Sequence, residues 1–266
     1  MEREKIKAVL TIAGSDCSGG AGIQADLKTM TMHGAYGMSV ITALTAQNTT
    51  GIYGVHTVTE DFLKRQIDSI FTDIVPDAVK IGMIGSKFFI DVIAERLFYY
   101  RAKNIVFDPV LASTSGTELL DKDGRKDLEE KLFPMARLVT PNRPEAEIFL
   151  GKKIETGEQV AAAAVEIGQR YGCSVLLKGG HGAGQADDFL YEQKENRKIW
   201  ISGKRYLVSN THGTGCTLSS AIAANLAKGS NLEESVRMAK EYINGALQNE
   251  IYLGAGNGPL NHMWCK

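Results

Sequence analysis

A chain of 266 residues with 30 Lys and Arg against 31 Asp and Glu has a formal charge of -1 and is long enough to bury a full core as one large α/β domain, 1–266. It has no basic tail or block, so it lacks the clustered positive charge that a nucleic-acid partner requires. No apolar run approaches the roughly 20 residues of a membrane span, Ala8–Ala13 is too short for a signal peptide, and Cys17, Cys173, Cys216 and Cys265 lack ligand-like spacing, so a cytoplasmic protein with reduced thiols is expected.

In chain order, short apolar runs alternate with stretches of helical spacing. Ala8–Ala13 reads as a strand, Gln24–His33 as a helix and Val40–Leu44 as an apolar segment. Helix Glu60–Ile70, strand Ala78–Ile81, helix Phe88–Arg101 and strand Asn104–Asp108 follow. Helix Lys126–Phe133, strand Leu138–Thr140, helix Glu158–Tyr171 and strand Ser174–Lys178 continue the pattern. A hairpin-like pair, Asp188–Glu192 and Lys198–Trp200, precedes a run at Arg205–Ser209, and helices over Leu218–Ala227 and Asn231–Asn249 close the chain before the loop Gly254–Pro259. This alternation predicts a three-layer α/β fold, a mostly parallel sheet between helices with one part antiparallel. In such sheets ligands bind beyond the C-terminal strand ends. The glycine-rich and polar segments fall there: Gly14-Ser-Asp-Cys-Ser-Gly-Gly-Ala-Gly22, Gly82-Met83, Asp108-Pro109, Thr140-Pro-Asn142 and Gly179-Gly180.

The strongest local signal is Asn210-Thr-His-Gly-Thr-Gly-Cys216 ahead of the helix. Glycines there allow a sharp turn with its N–H groups aligned, and the helix adds its positive end, which makes a pocket for a phosphate or a phosphoryl group in flight. Cys216 lies on its floor and reads either as a small core thiol or as a thiol whose pKa the helix end lowers. His212 either lines the nucleotide site or satisfies the turn. The first glycine loop has neither dinucleotide nor P-loop spacing. Asp26 beyond it is either a helix N-terminal charge or an acceptor for substrate. Gln47 carries both donor and acceptor, as an aminopyrimidine edge requires, although a turn role is equally open. The three-residue spacing of Asn142 and Glu145 suits a magnesium ion held through water, and it also suits a capping box. Lys178 ends a strand beside glycines, placed either to offset phosphate charge or to reach solvent.

Together these segments resemble the ribokinase-type small-molecule kinases, and within them the bacterial hydroxymethylpyrimidine and hydroxymethylpyrimidine-phosphate kinases of thiamine synthesis, which have a related pyridoxal kinase branch. The resemblance is carried by Thr11–Lys28, Gly34–Leu44, Ala46–Thr49, Lys80–Met83, Asp108–Val110, Thr140–Glu145, Lys178–Gly180, Thr211–Cys216 and Gly258–His262. It implies a ribokinase-like fold, ATP as co-substrate, magnesium and a homodimer. By the resemblance, the pyrimidine meets Gln47, Asp26 and backbone near Gly14 and Val110, with Met83 against the ring. The nucleotide phosphates meet Lys178, Asp108, Thr211, Gly213, Thr214 and Gly215, Asn142 and Glu145 organise magnesium, and Cys216 stands where the sugar kinases place an aspartate base. Cys17 departs from the proline of many relatives, and Leu111 from a usual methionine. The implied activity is two successive phosphorylations of the hydroxymethylpyrimidine. A pyridoxal kinase is the enzymatic alternative, an inactive nucleotide-binding regulatory protein an alternative of another class, and a redox role for Cys216 the weakest.

Overall fold

The computed structural model describes residues 6–111, 122–179, 187–204, 206, 208 and 210–265. Among these, nine strands form one sheet: β1 (Ala8–Asp16), β2 (Tyr36–Asn48), β3 (Gly51–Thr57), β4 (Ala78–Ile81), β5 (Ile105–Phe107), β6 (Leu138–Val139), β7 (Ser174–Leu177), β8 (Asp188–Glu192) and β9 (Arg197–Ile201). Their order is β3-β2-β1-β4-β5-β6-β7-β8-β9. Strands β2, β1, β4, β5, β6 and β7 pair in parallel, while β3 on one edge and β8 and β9 on the other pair antiparallel. Among the described residues eight α-helices flank the sheet: α1 (Gly22–Met32), α2 (Glu60–Phe71), α3 (Lys87–Tyr99), α4 (Lys122–Lys131), α5 (Arg143–Leu150), α6 (Gly157–Tyr171), α7 (Thr214–Ala227) and α8 (Leu232–Gln248). The expected fold, a mostly parallel sheet between helices, is the one found.

Strand periodicity assigns the two cores. Val9, Ala78, Val106, Leu138 and Leu176 face one side with α7 and α8, whereas Leu10, Ile12, Val79, Ile81, Phe107, Val139, Val175 and Leu177 face the other. Helix α7 packs on β1, β4 and β5 and is covered by α1 and α8. From Thr217 to Ala227 every residue of α7 is buried. Its Ala and Ser side chains let the backbone approach the sheet closely, and its first turn is thereby fixed at the C-terminal strand edge.

The structure differs from the expected elements where the apolar signal is weak. β2 runs on to Asn48 and turns back as β3, a half-exposed strand whose polar and glycine positions hid it. The expected run Arg205–Ser209 lies partly outside the described residues, and its described positions 206 and 208 are not strand. Helix α5, expected only as a helix start, continues to Leu150.

The C-terminal segment returns under α1 and α8. His262 is buried, with Nδ1 3.1 Å from the Tyr242 hydroxyl. Burial pushes its imidazole down from 6.5 to about 4. The unfolded chain therefore takes up a proton that the folded ring refuses, so this contribution to stability is complete above pH 6.5 and is lost as pH falls towards about 4, on the order of 3 kcal/mol. Thermal melts of the parent should fall through that window, and His262→Phe should flatten the fall. A parent-like pH dependence in the variant would contradict this assignment.

Candidate active site

β1 delivers Asp16 to the first glycine loop, and its carboxylate organises that loop. Oδ1 accepts from Ser18 N at 2.9 Å and Ser18 Oγ at 2.7 Å; Oδ2 accepts from Gly20 N at 3.2 Å and Ala21 N at 2.9 Å and lies 3.0 Å from His212 Nε2. Burial alone would raise this carboxyl, but the His212, Ser18 and Ala21 hydrogen bonds outweigh it and hold it at about 2. The second glycine loop lies directly on the first. Gly213 has a φ of 84°, and a Cβ there would overlap the Gly20 carbonyl oxygen. Only glycine meets both conditions.

Gly213 is the N-cap of α7, and the first helical hydrogen bond runs from Thr217 N to Gly213 O at 2.9 Å. The Gly215 and Cys216 amides therefore precede the i to i−4 ladder at the positive helix end, as an anion site requires. Thr214 N and Oγ1 close the turn on Thr211 O at 3.3 and 2.6 Å. Asn257 Oδ1 accepts from Thr211 N at 3.0 Å, and Gly258 O accepts from His212 N at 3.3 Å. The loop shape is thus set partly by the C-terminal segment.

A charged pair stands against this helix end. Lys178 Nζ donates to Asp108 Oδ1 at 2.9 Å, and a Cβ on Gly215 would lie 3.3 Å from Asp108 Oδ2 and 3.6 Å from Lys178 Nζ. Burial opposes the charge on Lys178, but Asp108 and Glu145 more than restore it, and its pKa is raised. Glu145 goes the other way: burial outweighs Lys178, and its carboxyl is pushed up to about 7. Beneath lies a second pair. Lys80 Nζ, fully buried, contacts both Asp26 oxygens at 2.8 and 2.9 Å.

The expected residues sort as follows. Lys178, Asp108, Gly213, Thr214, Gly215 and Cys216 come together at the head of α7, and Lys178 is paired instead of reaching solvent. Met83 packs against Gly14, which leaves no room for a Cβ there, and Gln47 stands half-buried in β2, 3.3 Å from His212. Two expectations need correction, Asp26 as a substrate contact and the lowered pKa of Cys216, and two others meet contacts within the protein. Asp26 is 0% exposed, with its oxygens taken by Lys80, Thr11 at 2.6 Å and Ser220 at 2.6 Å, so it is a core charge and not a substrate contact. The Val110 N–H is bonded to Asp108 O at 2.9 Å, in the backbone stretch expected to meet the ring. Asn142 and Glu145 form the capping box of α5, at 2.9 and 2.7 Å, so Asn142 Oδ1 serves the helix end while the Glu145 carboxylate stays close to Lys178. Finally, Cys216 is partly exposed but packed among carboxylates. Burial pushes its thiol up to about 11, against a lowering by Lys80, so the thiol is not the lowered one the helix end alone would give. Sequence reading missed Asp16, Lys80 and Asn257. An Asp ahead of Ser-Gly-Gly was a detectable Asx-turn signal for the first, whereas the other two depend on contacts distant in the chain.

A family model described as phosphomethylpyrimidine kinase matches residues 16–261. The thiamine biosynthesis bifunctional protein of Geobacter sulfurreducens is 48% identical over 257 residues, which is 96% of this chain and 52% of that protein, so the chain spans about half of that relative. The crystal structure of a phosphomethylpyrimidine kinase from Clostridium difficile 630 is 46% identical with a TM-score of 0.80, covering 90% of this chain and 98% of that one. An ADP complex of Bacillus subtilis pyridoxal kinase is 33% identical with a TM-score of 0.88, covering 97% and 98%. Identity favours the first structure and superposition the second. Identity weighs side chains, where the two substrates would be distinguished, while the TM-score follows backbone and coverage.

The thiol assignment predicts an order of reaction. Cys17 and Cys265 are exposed, so a thiol reagent at neutral pH should label both before Cys216, as read by peptide mass mapping. Labelling of Cys216 first would contradict its raised pKa.

Proposed function

The chain belongs to the phosphomethylpyrimidine kinase family, and we propose that it transfers the γ-phosphoryl group of ATP to 4-amino-5-hydroxymethyl-2-methylpyrimidine and then to the resulting monophosphate, for thiamine synthesis. The observation that carries this reading is the juxtaposition of Lys178 and Asp108 with Gly215 at the head of α7, where His212 of the preceding turn meets Gln47 of β2.

In this arrangement the acceptor hydroxymethyl oxygen lies against Cys216 and the γ-phosphoryl group against the Gly215 and Cys216 amides and Lys178. The acceptor oxygen forms its bond to phosphorus as the bond to the bridging oxygen breaks and ADP leaves. Phosphoryl transfer passes through a loose transition state, so positioning and charge supply most of the acceleration. Cys216, whose thiol is pushed up to about 11 by burial, holds the acceptor hydroxyl, and the hydroxyl proton passes late in the transfer to an oxygen of the phosphoryl group that the acceptor receives. Asp108 keeps Lys178 aimed, and Met83 and Gly14 shape the floor under the ring.

Magnesium fits the donors. Glu145 and Asp108 are buried carboxylates beside the phosphate site, and among the described residues no group of three or more His, Cys, Asp or Glu forms a cage. That donor set suits a hard cation that keeps most of its waters, held by Glu145 and Asp108, and when bound it neutralises nucleotide charge. Tyr53 and Val55 are exposed on one face of β3, a surface that supports pairing with a second copy of the chain. Among the described residues no helix is long and apolar enough to cross a membrane, and the four cysteines are free, which supports a cytoplasmic setting.

Pyridoxal phosphorylation is the second reading, favoured by the fit to the Bacillus subtilis pyridoxal kinase structure. A coupled assay decides between them, comparing kcat/KM for the hydroxymethylpyrimidine, its monophosphate and pyridoxal across a magnesium titration. The pyrimidine and its monophosphate should both be phosphorylated, more efficiently than pyridoxal, with activity lost without the metal. Dominant pyridoxal turnover with an inert monophosphate would overturn the first reading.

A further inference from the structure

His212 Nε2 lies between two partners, 3.0 Å from Asp16 Oδ2 and 3.3 Å from Gln47 Nε2. Asp16 is an ionised carboxylate and can only accept, so the ring nitrogen facing it carries a hydrogen. That holds for the neutral ring and for the imidazolium alike. A protonated Nε2 has no lone pair for the Gln47 NH2 group, but it suits a carbonyl oxygen. The other end of the amide gives the same answer. Thr45 Oγ1 has one hydrogen, which it donates to Ser15 O at 3.0 Å, yet it also sits 3.1 Å from Gln47 Oε1. There Thr45 is left as an acceptor and suits an NH2 group. Rotating the terminal amide by half a turn exchanges its oxygen and nitrogen without changing its shape and satisfies both neighbours at once.

We propose that His212, fixed by Asp16, is a positioning residue that turns the Gln47 carbonyl towards itself and the Gln47 NH2 towards Thr45, and so sets the donor–acceptor order offered to the substrate ring. This rests on the reading that Gln47 meets that ring. So oriented, the amide keeps one oxygen lone pair and one N–H hydrogen beyond its two internal bonds. These match a ring nitrogen beside an exocyclic amine, the edge of an aminopyrimidine. A pyridine without that amine meets only part of the pattern. His212 also immediately precedes Gly213, the N-cap of α7, so the residue that orders ring recognition belongs to the loop that receives the phosphoryl group. The chain Ser15–Thr45–Gln47–His212–Asp16 begins and ends on the first glycine loop.

A double-mutant cycle on the full-length protein tests the link, reading KM for the hydroxymethylpyrimidine, pyridoxal and ATP. Gln47→Leu should raise the pyrimidine KM roughly tenfold or more, as leaving a buried polar partner unmet does, with little change in the ATP KM. His212→Phe should do about the same, and the double variant should be no worse than either. The pyridoxal KM should change less, and His212→Gln, whose terminal NH2 can donate to both Asp16 and Gln47, should restore most of the loss. Independently, 15N NMR of the parent imidazole should show the proton on Nε2. Effects that multiply in the double variant, or an Nε2 without its proton, would overturn the role of His212. A parent-like pyrimidine KM in Gln47→Leu would instead overturn the ring-contact reading and the specificity claim built on it, leaving the NMR result to judge the imidazole alone.

Discussion

The contact of two glycine loops, with Gly213 seated on the Gly20 carbonyl oxygen, is the constraint on which the rest of the site depends. One loop follows β1 and lies on the proposed ring side; the other opens α7 and lies on the proposed phosphate side. No side chain fits between them, so the distance between acceptor and phosphoryl group is set by backbone contact. Asp16 reinforces that contact from within by binding amides of the first loop and His212 of the second. Phosphoryl transfer asks the protein mainly for position and charge. A rigid backbone contact supplies the first of these.

Charge is arranged in two tiers. Lys80 and Asp26 form a pair with no solvent access, bonded also to Thr11 of β1 and Ser220 of α7. Such a pair contributes little net stability compared with apolar packing but is costly to break on one side. Burial opposes the charge on Lys80, but Asp26, Cys216 and Asp108 outweigh it and keep its ammonium charged beneath the site. The second pair, Lys178 with Asp108, stands against Gly215 at the proposed phosphate site. The capping box of α5 belongs to the same logic. It orders Glu145 and at the same time keeps that carboxylate close to Lys178.

Much of this was legible in the chain. The parallel sheet, its antiparallel edge and the anion loop followed from periodicity and glycine placement, because local spacing determines those features. What was not legible depends on partners remote in sequence. Asp26 reads as an accessible helix-start acid until Lys80, 54 residues later, is seen to take both its oxygens. Cys216 has the helix end that lowers a thiol pKa, but its burial among Asp26 and Asp108 decides the sign. Asn142 and Glu145 show the reverse: their spacing fits a cap or a metal equally, and only the formed hydrogen bonds establish the cap. The β3 strand was hidden because its exposed face carries no core pattern.

The most direct test of loop apposition as the governing constraint is single-turnover phosphoryl transfer in Gly213→Ala. The added methyl would overlap Gly20 and sit at a φ of 84°, where alanine is strained. If backbone contact sets the distance between acceptor and phosphate, the transfer step should slow by two orders of magnitude or more, roughly the 3 kcal/mol that lost transition-state contacts remove. Calorimetric binding of the hydroxymethylpyrimidine should stay within a few-fold of the parent. Transfer at the parent rate in a folded Gly213→Ala protein would contradict the account.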